Sequence, residues 1–126
     1  MKVITLDSIQ GTEREVACPY GGFISDRFLL ADDGLGFSVH RTRIPKGEEQ
    51  HWHYKKHLEA CYCIAGSGIL TDLATGSRYR IAPDTLYALN KHDDHTFKAE
   101  SDVILISIFN PPCKGRETHN AEGSYE

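Results

Sequence analysis

Turn-forming residues interrupt this chain too often for helices of ordinary length. Clusters rich in Gly, Pro, Asp and Asn fall at YGG (20–22), ADDGLG (31–36), PKGEE (45–49), AGSG (65–68), ATGS (74–77), APD (82–84), NKHDD (90–94) and NPP (110–112). Breaks every ~8–12 residues leave room for short strands, the pattern of an all-β sandwich or barrel. The segments between them agree. FISDRFLL (23–30), FSVHRTRI (37–44), EACYCIAG (59–66), GILTDL (68–73), SRYRIA (77–82), TLYAL (85–89), HTFKAE (95–100) and VILISIF (103–109) are rich in β-branched and aromatic residues.

Strand alternation sorts these segments by face. FSVHRTRI places Ser38, His40, Thr42 and Ile44 on one side, a mixed polar face suited to lining a cavity. VILISIF is apolar throughout and predicts burial on both faces. LDSIQGTERE (6–15) predicts a short N-terminal helix, and the polar segment after residue 112 predicts a loosely held tail. At 126 residues the chain predicts one domain, 1–126, with a core of its own.

A net charge of -4 without a basic run argues against nucleic acid and anionic membranes as partners. No apolar run reaches the ~20 residues of a membrane span, and MKVITLDSIQ lacks the apolar core of a secretory signal. Cys18, Cys61, Cys63 and Cys113 form no CxxC pair and read as reduced thiols of a cytoplasmic protein.

Chemistry concentrates in HWHYKKHLE (51–59). An unbroken strand would point His51, His53, His57 and Glu59 the same way, whereas a turn at YKKH would reset that parity. The spacing also resembles the first motif of the cupins: Gly47, His53, Glu59 and Gly66 fall at motif positions, and Lys55 stands where a second His belongs. A protonated Lys cannot replace an imidazole ligand. Of the second cupin motif only the His remains, as His95, with Asn90 and His92 in place of its Pro and Gly.

Longer stretches resemble one cupin family. YKKHLEACYCIAGSG (54–68), PDTLYALNKHDDH (83–95) and FNPPCKGRETHNAEGSY (109–125) are similar to signature stretches of the ectoine synthases, and the likeness includes DDGLGFSVH (32–40). It implies a single-domain, jelly-roll-like cupin β-barrel with minor short helices, working as a cytoplasmic homodimer. It implies a lyase that closes N-γ-acetyl-L-2,4-diaminobutyrate to the compatible solute ectoine with loss of water. One Fe(II) per chain would be held by Glu59, Tyr87 and His95, a donor set suited to ferrous iron. Substrate contacts carried over from the family are Ser25, Arg27, Thr42, Tyr54, Phe109, Glu117 and His119. Among them Tyr54, Glu117 and His119 are candidates for acid–base work, and Arg27 for a bidentate grip on the substrate carboxylate. A tail spanning about 112–126 would fold over the barrel mouth, bringing in Glu117 and His119 and excluding water.

The chain departs from the family at Phe23, where a Trp is usual, at Asp26, where an Arg is usual, and in HNAEG (119–123). Asp26 is expected to reverse a charge close to the substrate. Rival readings are action on a related N-acetylated diamino acid, a non-catalytic cupin sensor, and a dioxygenase or isomerase built on His53, Glu59 and His95.

Overall fold

In the computed structural model, which describes residues 1–125, ten strands form two antiparallel sheets. The strands are β1 (Glu15–Ala17), β2 (Ile24–Leu29), β3 (Ser38–Ile44), β4 (Glu49–Trp52), β5 (Leu58–Ala65), β6 (Gly68–Asp72), β7 (Arg78–Ile81), β8 (Leu86–Leu89), β9 (His95–Ala99) and β10 (Val103–Asn110). One sheet runs β1-β2-β3-β10-β5-β8, the other β4-β9-β6-β7. Residues of both contribute to one apolar core, including Ile44, Cys63, Leu105, Phe97, Ile81 and Trp52. Glu126, the last residue of the expected domain and tail, lies outside the described residues.

All eight expected strands are present. β1 and β4 are additional, and neither has the apolar alternation of a half-buried strand. They form because β2 and β9 offer edges to pair with. The expected helix over 6–15 contracts to α1 (Leu6–Ile9), with Thr5 as its N-cap; Gly11 follows at φ 77. β10 corrects the expectation of two-sided burial. Val103, Leu105 and Phe109 are buried, but Ile108 on the opposite face is 40% exposed. The strand sits in the middle of its sheet, and the second sheet covers only one side of it.

Register sets the inner wall. Arg27 pairs with His40, His40 with Ser107, Ser107 with Cys61 and Cys61 with Tyr87. This buried row crosses five strands, and all of its members point inward. The cavity-lining face expected of β3 is thus realised, with Ser38, His40 and Thr42 all buried.

His92 occupies a glycine position of the cupin motif and adopts φ 53. Its Nδ1–H donates to the carbonyls of Tyr54 (2.9 Å) and His57 (3.1 Å), a local gain that offsets the strained backbone. It thereby pins the segment between β4 and β5. Residues 53–57 are not strand, so the alternating parity of HWHYKKHLE is broken there.

Gly66 at φ 75 packs so closely that a Cβ would overlap the Asp102 carbonyl. Gly66→Ala is therefore expected to cost at least about 2 kcal/mol, from left-handed strain plus backbone displacement. Urea unfolding measures the loss.

Candidate active site

Broken parity disperses the three histidines that crowd the sequence. His51 faces outward and bonds Asp94 at 2.5 Å. His53 is half-buried and gives its backbone N–H to the Gly123 carbonyl at 2.9 Å. Lys55 is exposed and pairs with Glu122 at 2.6 Å. Only His57 is buried; its ring stands edge-on to Phe109 and Tyr125. The two standard cupin ligand positions, 53 and 55, are therefore given over to the C-terminal segment.

Glu59 begins the inward face of β5, with Cys61 two residues on. Burial pushes its carboxyl up to about 8, against a smaller pull from the Cys61 and Ser107 side chains. Tyr87 on β8 faces inward beside Cys61, and burial holds its phenol well above the ordinary range. His95 opens β9. Its Nδ1–H donates to the Asp93 carbonyl at 2.9 Å, which leaves Nε2 as an acceptor. Burial also lowers its pKa, despite the opposing influence of Asp93 and Asp94.

Glu59 Oε1, Tyr87 OH and His95 Nε2 are buried and have no hydrogen-bond partner. Orphaned buried donors and acceptors are costly. A carboxylate, a phenol and an imidazole fixed by its second nitrogen fit a ferrous ion. Among the described residues, no three His, Cys, Asp or Glu side chains gather as a metal-binding group. That is unfavourable to a His53–Glu59–His95 triad but does not bear on a set that includes a tyrosine.

Beside Glu59 lies a chamber walled by Ser25, Thr42, Tyr54, Phe109 and His119, all carried over as substrate contacts. The Tyr54 hydroxyl and His119 Nε2 share a hydrogen bond at 2.5 Å. Burial, with Arg27 adding to it, holds His119 down to about 3, so the ring is neutral at ordinary pH. Phe23, where the family has an indole, packs edge-on against Trp52 (5.4 Å) and His119 (5.2 Å).

Two carried-over residues are placed differently from expectation. Arg27 is buried, but its fork holds the tail: Nη1 donates to the Gly115 carbonyl (2.7 Å) and Nη2 to that of Glu117 (2.6 Å). It is not free to grip a carboxylate. The Glu117 carboxylate folds back onto its own loop and accepts the N–H groups of Lys114 and Gly115, each at 2.6 Å. Burial raises its pKa, but these bonds and Arg27 outweigh that and bring it below the ordinary value. Asp26 also overturns an expectation. It points to the opposite face of β2 from Ser25 and Arg27 and pairs there with Arg43 (3.0 Å) and Arg41 (3.7 Å). Its charge is not turned toward the substrate chamber.

Sequence reasoning missed Tyr125 and left His40 and His57 without a role. Tyr125 is buried against His119 (4.5 Å), Tyr54 (5.1 Å) and Phe109 (5.3 Å), with the Arg27 guanidinium 5.6 Å from its ring. An aromatic ending a polar segment was the available signal. His40 Nδ1 bonds the Ser25 hydroxyl at 3.3 Å, while His40 Nε2 and His57 Nδ1 are unpartnered. With Tyr125 seated, the chamber keeps about 10 Å³, room for about one water. A substrate requires the tail to move.

A two-sheet barrel whose inner wall carries such a donor set is a cupin. A cupin domain of a transcriptional regulator from Enterobacter cloacae superposes with a TM-score of 0.60 at 17% identity, over 72% of this chain and 98% of that one. The particular family follows from closer similarity: the ectoine synthase profile matches residues 1–126, and the chain belongs to that family. An L-ectoine synthase of Desulfosudis oleivorans is 52% identical, over 100% of this chain and 97% of its own length. The crystal structure of the ectoine synthase from P. lautus superposes with a TM-score of 0.85 at 38% identity, over 90% of this chain and 80% of that one.

Glu59 also makes a pH prediction for the metal-free protein. Its folded pKa of about 8 lies above its ordinary 4.5. The folded state therefore binds more protons between these values, and stability falls as pH rises from about 4.5 to about 8. Glu59→Gln removes this contribution. Melting temperatures of both proteins across that range are expected to converge at acid pH, relative to their separation at pH 9.

Proposed function

We propose that this chamber closes N-γ-acetyl-L-2,4-diaminobutyrate into ectoine, with one ferrous ion per chain held by Glu59, Tyr87 and His95. The observation that carries the reading is the trio of buried, unpartnered atoms Glu59 Oε1, Tyr87 OH and His95 Nε2, with Glu59 in the wall of a chamber of family substrate contacts. When bound, such an ion supplies Lewis-acid polarisation of the amide carbonyl oxygen.

The chain's own residues supply the rest. Ser25 and Thr42 offer hydroxyls to the polar end of the substrate, and Phe109 packs against its carbon skeleton. Once the tail opens and solvent relieves the burial that holds His119 down, its Nε2 is able to take a proton, through the Tyr54 hydroxyl, from the α-ammonium. The freed amine then attacks the acetamide carbon. The new C–N bond closes the ring and the carbonyl C–O bond breaks. The oxygen leaves as water with two protons, one returned from the Tyr54–His119 pair and one lost from the attacking nitrogen, so the ring closes as an amidinium without net proton change. Holding both ends of one small molecule together contributes as well. The tail segment held by Arg27, closing over bound substrate with Tyr125 displaced from the chamber, keeps bulk water from reversing a dehydration.

The same reading places the protein in the cytoplasm as a homodimer. Free cysteines support the first. Among the described residues no helix is long and apolar enough to cross a membrane. Exposed Tyr62, Ile64, Leu86 and Ile108, on the outer face of neighbouring strands β5, β8 and β10, support the second.

Anaerobically iron-loaded protein incubated with N-γ-acetyl-L-2,4-diaminobutyrate is expected to release ectoine, detected by chromatography. Glu59→Ala, Tyr87→Ala and His95→Ala should each lose bound iron, while His53→Ala keeps it. Iron retained in Tyr87→Ala but lost in His53→Ala would replace the ligand set. No turnover by the loaded wild type would favour a different substrate or a sensor.

A further inference from the structure

The two sheets leave one side of the barrel unpaired. β7 is the edge of the four-stranded sheet and β8 the edge of the six-stranded sheet. Between them opens a cleft of about 440 Å³, with exposed Tyr79 and Leu86 at its rim. Tyr87 and His95 lie at its floor, 8% and 1% exposed. The other approach to these side chains, through the barrel mouth, is stoppered by Tyr125 and the Arg27-held tail.

The cleft walls are suited to a cation. Asp72 and Asp93 line them, with Arg80 as the opposing charge. Asp72 Oδ1 accepts the Ala74 N–H (2.9 Å) and Asp93 Oδ2 that of Lys91 (3.1 Å). Among the described residues, the second oxygen of each has no protein donor. Two carboxylates against one guanidinium leave a negative wall, which raises the local concentration of a divalent cation.

We infer that the side cleft between β7 and β8 is the port by which the metal ion reaches Tyr87 and His95, leaving the barrel mouth to the organic substrate. This rests on the metal centre proposed above. It makes the two access routes independent: the ion loads while the tail is closed, and the tail opens only for substrate and product. Asp72 pairs across the ladder with His95, so one wall carboxylate stands in the strand register of the imidazole.

The chain's single tryptophan gives a direct readout. Trp52 is buried with its ring 6.0 Å from that of His95, so a paramagnetic ion at His95 quenches its fluorescence. Stopped-flow mixing of the metal-free full chain with Co(II) measures uptake, and equilibrium dialysis measures the end point. Thr85→Phe places a ring across the cleft without adding a tryptophan. It is expected to slow uptake about ten-fold or more at unchanged final occupancy. The isosteric pair Asp72→Asn and Asp93→Asn keeps both turn acceptors; it should slow uptake several-fold and flatten its dependence on salt. Tyr125→Ala, which opens the mouth, should leave the rate within about two-fold. Circular dichroism checks that each variant is folded. Wild-type rates in both cleft variants, or a ten-fold acceleration in Tyr125→Ala, would overturn the port. If the wild type binds no Co(II) at equilibrium, the metal centre itself fails and the port with it.

Discussion

The pairing of β10 with β3 on one side and β5 on the other governs what this barrel can do. Side chains alternate across a strand, so a slip of one residue in either ladder would turn Ser107 and Phe109 outward and bring Ile106 and Ile108 in. Held in register, the same ladders align Arg27, His40, Ser107, Cys61 and Tyr87 in one buried row. The neighbouring row brings Ser38, Phe109 and Glu59 together. Site and fold are thus specified by the same hydrogen bonds.

A wall this polar is expensive to bury, and the structure shows where the cost is met and where it is not. Thr42, Ser107 and Cys61 satisfy one another, with Thr42–Ser107 at 3.1 Å and Ser107–Cys61 at 3.5 Å. Arg27 finds two carbonyls on the tail. Glu59, Tyr87 and His95 keep atoms without partners, and these are the groups proposed to hold the ion. His40 Nε2 and His57 Nδ1 are unpartnered too, so it is the donor chemistry of Glu59, Tyr87 and His95, together with their unpaired atoms, that singles these three out.

The tail adds a second layer of control. Arg27, Gly123 and Tyr125 bind it to three different parts of the chamber rim: the inner wall of β2, the backbone of His53 and the aromatic cluster around Tyr54. Gly123 has to be glycine, since it sits at φ 78 against the backbone of His51. The closed tail leaves no room for substrate, so binding and release must exchange these contacts for others. Glu117, whose carboxylate caps its own loop when the tail is closed, is the carried-over residue whose role depends most on that exchange.

Much of the architecture was legible because it depends on local chemistry. Turn residues marked the strand ends, alternation identified the cavity-lining face of β3, and the stretches around Glu59, Tyr87 and His95 carried the family likeness. β1 and β4 were not legible, because their strand character comes from a partner rather than from their own residues. The histidines of HWHYKKHLE misled for a related reason: whether parity survives residues 53–57 depends on His92, which pins that loop from ~35 residues away. Asp26 looked like a charge beside the substrate because sequence neighbours in a strand seem close, although they face opposite sides. The sequence by itself determined eight of the ten strands, the all-β class and the residue types available for chemistry, since propensity and periodicity are properties of short segments. Only the tertiary structure decided that Arg27 holds the tail, that Tyr125 fills the chamber and that Glu117 is turned away, because those outcomes depend on which distant backbone groups meet a buried side chain.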